Sequence, residues 1–326
     1  MENCLYQGNN ICTYELKDDN GLYFEDMVLD LKQAAAGRLL TCPECKAPVY
    51  LAAGPVKEPY FAHYDLKSCD YGNSQETEEL KKGKRLLYQL MKRSFPDSDI
   101  LARHRMENGM YSTIYCEYNE DLKLAIDYRL QNSSLESFQM RDGFYQSNRI
   151  RPIYVLGIRQ KKDTGQIDWY QNLIQSSMGY LIFLDVQKES ISLKKCFGYR
   201  IGRERYFKFL EKAYQVKELK FDKEGQMLCD FFSACEQAEW QIREEIRQYD
   251  ERKQLLQSLK NEQQRLRERD KKRLEEYRSS MKMPVKQADK PVLDPVILEK
   301  CRKLISEGNS HLVSKKYYDA LISELE

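Results

Sequence analysis

The chain has 326 residues, of which 41% are hydrophobic and 32% are charged, and its formal net charge is +2 at pH 7. This length suits one large domain or two ordinary domains with extensions. The near-neutral charge excludes a uniformly basic protein, so any affinity for nucleic acid must come from local patches. No stretch approaches the roughly 20 apolar residues that a membrane span needs, so no membrane partner is predicted.

Cysteine usage and the first residues predict a cytoplasmic protein. The opening MENCLYQGNN has neither a basic start nor an apolar run, so no secretory signal is expected. Ten cysteines without such a signal are typical of a reducing compartment. The chain has only three histidines, so few residues are available for histidine-based acid–base catalysis.

The stretch TCPECKAPVYLAAGPVKEPYFAHYDLKSCD, residues 41–70, predicts a zinc site. Cys42 and Cys45 are separated by two residues, and His63 and Cys69 follow. Zinc prefers four such ligands at tetrahedral corners, and a C-x2-C turn supplies two of them. The apolar residues between the two halves predict a short hairpin with its bend at Gly54-Pro55. The alternative is that these are ordinary reduced cysteines and one polar histidine.

The flanking segments predict helices. A helix is expected from Glu25 to Ala36, ahead of the zinc stretch. A second is expected over 74–93, with Ser74 as its cap and acidic residues in its first turn. Its basic residues include Lys81, Lys82 and Arg85; such a face is either solvated surface or a contact for nucleic acid.

Residues 100–186 predict an α/β unit. Strands are expected at 111–118, 122–131, 151–158 and 179–186, and helices at 134–147 and 169–177. This alternation predicts a central sheet flanked by helices. A β-like stretch and aromatic helical segments are expected next, up to Cys229.

The C-terminal part predicts extended helical structure. A long charged helix is expected over 229–278, where Leu256, Leu259 and Leu266 fit coiled-coil positions but Asp270 and Arg273 interrupt the pattern. It is interpreted as an imperfect coiled coil or a solvated arm. A linker is expected at 279–295, and then a small helical hairpin with its turn at Gly308-Asn309.

Asp127 and Arg129 are the only candidate chemical pair outside the zinc stretch. Residues i and i+2 of a strand point the same way, about 6.6 Å apart. Nucleases of the restriction-enzyme type place a metal-binding carboxylate and a lysine in this relation. Arginine can bind a phosphate but cannot release a proton at ordinary pH. The alternative is a surface ion pair.

The CPEC knuckle, the FAH-x5-C half and the following helix resemble the CoiA-like competence protein family over about residues 1–200. The resemblance implies a zinc-ribbon-like module joined to a PD-(D/E)XK, restriction-endonuclease-like α/β domain. The family's E-S-x-x-H-x-x-x-K helix matches at Glu76 and Lys84, with Leu80 where the histidine is expected. Its later helix matches at Arg141 and Tyr145.

Two departures concern the implied nuclease site. Thr113 stands where the family's R-x-D-V strand has a metal-binding aspartate, and the I-E-x-Q strand reads Ile126-Asp127-Tyr128-Arg129. A hydroxyl replaces one of the two anionic ligands, so the site is predicted to be degenerate. If it were active, Glu76 and Asp127 would hold Mg²⁺ or Mn²⁺, and Arg129 and Lys84 would steady the phosphate.

Two functions follow as hypotheses. The first is a nuclease-fold protein that binds or acts on single- or double-stranded DNA, in uptake, recombination or defence, with Lys81, Lys82, Arg85, Arg141 and Tyr145 as possible nucleic-acid contacts. The second is a non-enzymatic adaptor in which the 229–278 helix recruits a protein partner or a second copy. The predicted domains are 1–73 (zinc module), 74–200 (nuclease-like), 201–283 (helical) and 284–326 (linker and hairpin).

Overall fold

The computed structural model of the chain describes residues 1–18, 21–54, 58–65, 69, 76–162, 167–280 and 293–323. The chain divides into two compact units, Met1–Asp250 and Glu251–Glu326. Three predicted features fall partly or wholly outside the described residues: the Gly54-Pro55 bend, the Ser74 cap and most of the linker at 279–295.

The first unit begins with two small hairpins and a helix. The elements are β1 (Asn3–Tyr6), β2 (Asn9–Cys12), α1 (Glu25–Ala36), β3 (Val49–Ala52) and β4 (Tyr60–His63). The predicted bounds of α1 are confirmed. Its apolar residues recur at helical spacing, so Val28 and Leu31 share one face and bury it against Val49, Leu51 and Phe61 of the second hairpin. This small core supports the Cys–His stretch.

A seven-stranded mixed sheet forms the main body. Its elements are α2 (Glu78–Ser94), β5 (Asp99–Arg105), β6 (Tyr111–Glu117), β7 (Lys123–Arg129), α3 (Leu135–Ser147), β8 (Ile150–Gly157), α4 (Trp169–Met178), β9 (Leu181–Asp185), β10 (Ser190–Ile201) and β11 (Glu204–Gln215). The strand order is β11-β10-β9-β8-β7-β6-β5. The pairs β7–β8 and β8–β9 are parallel and the outer pairs are antiparallel. The predicted α/β sheet is confirmed.

The helices cover both faces of this sheet. On one face, α2 contributes Leu86, Leu87 and Leu90 to a core with Ile126 and Tyr128 of β7. On the other face, Tyr145 of α3 packs with Tyr115 and Ala125, and α4 packs over β8 and β9. Because neighbouring residues of a strand point to opposite faces, Asp127 points to the α3 side and Tyr128 to the α2 side.

The sequence-based strand assignment is incomplete at both edges of the sheet. β5 was not predicted, because the charged residues of DILARHR dilute its alternation and Arg103 has a left-handed φ of 46°. The prediction of helical segments after residue 201 was wrong, since Glu204–Gln215 is the edge strand β11. Its lysines and glutamates resemble a helical surface because an edge strand is partly exposed on both faces. The sheet therefore continues past residue 200.

Helices complete the chain. α5 (Phe231–Ser280) is 50 residues long and buries only its first turns, with Phe231, Cys235 and Ile242 in the main core. α6 (Pro295–Ser306) and α7 (Lys315–Ser323) form the predicted hairpin around Gly308, whose φ is +79°. Within the described part of the chain, no helix combines the length and apolar character needed to cross a membrane.

Candidate metal centre and buried carboxylate

Cys42, Cys45, His63 and Cys69 come together at the end of the β3–β4 hairpin. One ligand atom from each residue lies within 4.8 Å of the others, and Cys45 Sγ is 3.3 Å from His63 Nε2. Ligands around a tetrahedral zinc, at about 2.3 Å for sulfur and about 2.0 Å for nitrogen, are separated by roughly 3.5–3.8 Å. The four predicted residues are therefore placed to share one ion.

Local backbone geometry aims these ligands at a common point. The knuckle closes through the N–H of Lys46, which donates to the carbonyl of Cys42 at 3.1 Å, and Lys46 adopts a left-handed φ of 60°. The N–H of Cys42 donates to the carbonyl of Ala47 at 2.9 Å. His63 is the last residue of β4 and pairs with Val49, directly after the knuckle. The hairpin therefore returns the histidine to the two cysteines.

Burial controls the protonation of these ligands. It raises the pKa of the Cys42 thiol to about 11 and lowers the pKa of His63, so the imidazole stays neutral and able to coordinate. Burial also acts to raise the pKa of Cys45, but hydrogen bonds from Ala47, Cys42 and Cys69 outweigh it and the pKa is lowered. The donor set of three sulfurs and one nitrogen could bind zinc, and four protein ligands leave no position for a substrate.

Asp127 is the second notable group, a carboxylate only 1% exposed in the centre of the sheet. Arg141 Nη1 lies 3.1 Å from its Oδ1 and 3.2 Å from its Oδ2. The hydroxyl of Tyr145 donates to Oδ2 at 2.9 Å, and Arg129 Nη2 lies 3.8 Å from Oδ1. Both oxygens therefore already have hydrogen-bond donors from α3.

The charges of this cluster are matched. Burial acts to lower the pKa of Arg141, but the Asp127 carboxylate outweighs it and the pKa is raised. Burial, reinforced by Asp127, raises the pKa of Tyr145 well above its usual value, so its hydroxyl remains a donor. Arg141 also donates to the carbonyl of Tyr111 at 2.7 Å. The arrangement satisfies a buried carboxylate with a guanidinium and a phenol.

Residues 29–72 match the model of a family described as Competence protein CoiA, N-terminal domain. The chain is also 28% identical over 134 residues to Competence protein CoiA of Bacillus subtilis (strain 168). Its N-terminal part is therefore similar to the CoiA-like competence proteins. The match covers 41% of this chain and only 35% of the curated relative.

Among solved structures, an XisH family protein from Nostoc punctiforme PCC 73102 is similar over 31% of this chain and 92% of its own, at 16% identity and a TM-score of 0.20. A likeness this weak carries no weight for the fold. The CoiA match itself encloses all four residues of the candidate zinc centre, so the family and the geometry agree on that part of the chain.

Thr113, the first departure from the CoiA-like pattern, lies on β6 beside Asp127. Its Oγ1 accepts the backbone N–H of Tyr128 at 2.9 Å. The hydroxyl thus replaces a main-chain acceptor and holds β6 to β7. A neutral side chain that is already bonded in this way contributes no negative charge beside Asp127.

Glu76 and Lys84, the helix residues of the CoiA-like pattern, form a separate cluster. Lys84 is 4% exposed, and its Nζ lies 2.5 Å from Glu76 and 2.8 Å from Glu2. Gly83, its neighbour on α2, packs against the ring of Tyr128, on the face opposite to Asp127. The sheet therefore separates α2 from the Asp127 carboxylate, and the hypothesis that Glu76 shares a metal with Asp127 has no support from this packing.

The predicted nucleic-acid contacts are engaged within the protein. Lys81 pairs with Glu78, Lys82 with Glu189 and Arg85 with Glu58, at 2.8, 3.1 and 3.0 Å. Arg141 binds Asp127, and Tyr145 is fully buried. These last two were predicted as DNA contacts, whereas the structure makes them the partners of Asp127. Their spacing of four residues, which places both on one face of α3, was the signal that could have shown this.

Proposed function

We propose that this chain binds DNA through a restriction-endonuclease-like domain without cleaving it, in the competence or recombination context of its family. The proposal rests on the Asp127 carboxylate, whose two oxygens already accept hydrogen bonds from Arg141 and Tyr145. A family relationship with a competence protein supports DNA as the partner, and the candidate zinc centre would stabilise the N-terminal region rather than take part in chemistry.

The charge balance argues against a Mg²⁺ site at this position. Mg²⁺ sites in phosphoryl-transfer proteins use one or two carboxylates with open water positions. Here Thr113 removes one expected carboxylate, and the guanidinium of Arg141 neutralises the other at 3.1 Å. Arg129 adds a second positive charge at 3.8 Å. A divalent cation at Asp127 would have to displace the guanidinium of Arg141 and would be repelled by that of Arg129.

The test is a paired measurement on the full chain. Fluorescence anisotropy with labelled single- and double-stranded oligonucleotides is expected to show binding, whereas the same DNA incubated with Mg²⁺ or Mn²⁺ is expected to remain intact. Absence of any binding would overturn the proposal. Cleavage by the wild-type protein would overturn it as well, and an Asp127→Ala variant would then show whether Asp127 takes part.

A second function, self-association as an adaptor, is favoured by one specific feature of α5. Its outer part carries six large apolar side chains, each more than half exposed: Leu255, Leu256, Leu259, Leu266, Leu274 and Tyr277. At 3.6 residues per turn, all six fall within an arc of roughly 100°. An apolar stripe of this width on a charged helix is typical of a helix that packs against another helix, and a second copy of the chain would present the matching stripe.

Light scattering of the full chain tests this second function. The double substitution Leu259→Glu and Leu266→Glu should convert a dimer into a monomer, while Arg265→Glu, on the same helix, should not. Substitution is preferable to truncation near residue 231, since Phe231, Cys235 and Ile242 belong to the main core. A monomeric wild-type protein would refute self-association through α5.

A further inference from the structure

The hairpin formed by β10 and β11 presents a face that the proposed function does not yet use. The two strands pair over their full twelve residues, from Ser190–Gln215 to Ile201–Glu204. Their outer half carries the sequence YRIGRERYFK, residues 199–208, which contains four basic and three aromatic residues. Side chains point alternately to the two faces, so each face of the hairpin has a distinct composition.

One face of the hairpin is fixed to α5. The hydroxyl of Tyr199 donates to Glu245 at 3.1 Å, Lys195 pairs with Glu239 at 2.8 Å, and Lys208 donates to Gln241 at 2.7 Å. These contacts hold the hairpin along its length. The opposite face is therefore displayed on a supported surface rather than on a loose loop.

The opposite face centres on the ring of Phe207, which is 53% exposed. Its cross-strand partner is Gly198, where a Cβ atom would contact the ring at 3.5 Å. Because glycine has no side chain, the Phe207 ring approaches the backbone of Gly198 closely. The guanidinium of Arg205 lies over the same ring, 4.8 Å from its centroid. The ring therefore contacts both Gly198 and Arg205 and still keeps about half of its surface exposed.

Positive charge surrounds this ring without compensation. Arg200, Arg203 and Arg205 are exposed, and none of them forms an ion pair with a residue that the structure describes. Arg200 and Arg205 also stand directly opposite each other across the two strands. Like charges in that position are destabilising, and a bound anion between them would relieve the repulsion.

We propose that this face, with Phe207, Arg200 and Arg205 on it and Arg203 in the adjoining turn, binds single-stranded DNA. The inference rests on the proposed function and names the surface and the form of DNA. A base would stack on the ring of Phe207, and the arginines would bind the flanking phosphates, which is how proteins commonly bind unpaired strands. In duplex DNA the base faces are already stacked on one another and are not available to the ring.

Binding of the full chain to a fluorescent single-stranded oligonucleotide tests the proposal. Phe207→Ala should weaken binding by about 5- to 100-fold, because loss of one base–aromatic stack has effects of this order, and Phe207→Trp should retain it. Trp169→Ala is the matched control, since Trp169 is also 53% exposed but lies on α4. Both positions are exposed, so circular dichroism should show unchanged folding.

The arginines are tested through salt dependence. Each phosphate contact to a single strand contributes about 0.7 to the slope of log affinity against log salt. Substituting Arg200, Arg203 and Arg205 together by Gln should therefore reduce that slope by about 2, whereas Phe207→Ala should leave it unchanged. Arg159→Gln, which removes one charge from an 82% exposed side chain elsewhere, is the control, and it should leave the slope unchanged.

The outcomes separate the two proposals. A wild-type protein that binds no DNA would overturn the proposed function. A wild-type protein that binds DNA as tightly as its Phe207→Ala variant would overturn only the role of this face. Equal losses on duplex DNA, or tighter binding to RNA of the same sequence, would overturn the assignment to single-stranded DNA.

Discussion

Arg141 donates from Nη1 to both carboxylate oxygens of Asp127, at 3.1 and 3.2 Å, in the interior of the sheet. The contact places a protein cation on both oxygens of the carboxylate that the sequence resemblance had suggested as a metal ligand. It also makes the pair interdependent, because Asp127 is buried, Arg141 is only 12% exposed, and each charge has the other as its main compensation.

Asp127→Asn should destabilise the protein. The substitution leaves the guanidinium of Arg141 buried without its counter-charge, and breaking a buried pair costs about 3–5 kcal/mol. Urea unfolding measures the change. Asp121→Asn, at an exposed position just before β7, should be close to neutral. The double variant Asp127→Asn and Arg141→Gln should lose less than the sum of the single variants, and additive losses would contradict the coupling.

Lys84→Met should also destabilise the protein, although Lys84 matches a catalytic position of the family pattern. It removes the ammonium group that pairs with both Glu2 and Glu76, two largely buried carboxylates, and a loss of about 3–5 kcal/mol is expected. Lys81→Met, one turn away in an exposed pair, should cost about 0.5 kcal/mol or less. Equal losses of stability in the two variants would show that the Lys84 cluster contributes no more to stability than the exposed Lys81 pair.

The pH dependence of the Lys84→Met variant gives a second readout. Burial acts to raise the pKa of Glu2, but Lys84 and the N-terminal ammonium together outweigh it and the pKa is lowered. In the wild type, the ionised Glu2 carboxylate therefore stabilises the fold above its unfolded pKa. This stabilisation is lost as pH falls through the lowered pKa of the folded state. Without Lys84, burial dominates and Glu2 takes up a proton at higher pH. The difference in free energy of unfolding between the two proteins should therefore shrink from pH 8 to pH 5.5.

Gly83→Ala and Gly143→Ala should change stability in opposite directions. In an exposed helix, alanine is more favourable than glycine by about 1 kcal/mol. Gly143 of α3 has open space around the new methyl group and should show that gain. At Gly83 of α2 the methyl would lie 2.2 Å from Cε1 of Tyr128, a buried ring, so α2 or the ring must move. Thermal unfolding measures both, and a stabilised Gly83→Ala would refute the close packing of α2 on β7.

Zinc should be present in the purified protein at one ion per chain. Cys69→Ser should remove most of it, measured by elemental analysis, and should lower the unfolding temperature, because metal binding and folding are coupled. Cys229→Ser is the control, since Cys229 lies outside the Cys–His cluster. Equal zinc content in the two variants would contradict the assigned ligand set.

The Cys–His cluster could be predicted from sequence because its four residues lie within one short stretch and match the type and spacing of zinc ligands. The order of helices and strands from 111 to 186 was also predictable, since the buried strands are strongly apolar. Edge strands gave no such signal. β11 is half-exposed and highly charged, and β5 is interrupted at Arg103, so neither shows a clean period of two.

The partners of Asp127 needed tertiary information. Sequence placed Asp127 on a strand and Arg141 on a later helix, but only the packing of α3 on the sheet shows that they meet. Similarly, Glu76 is close to Lys84 in sequence, yet the binding of Lys84 by Glu2 depends on how the N-terminus returns to α2. The family resemblance singled out these positions but could not show which of them face each other.

The strand order has a consequence for the path of folding. The outer strand pairs are hairpins whose partners are close in sequence, and β10–β11 can close from its own turn. The central parallel pairs, such as Lys123 with Ile150 and Val155 with Ile182, form only after a crossover helix has been laid down. Because contacts between distant parts of a chain form slowly, we expect the middle of the sheet, including the surroundings of Asp127, to be completed last.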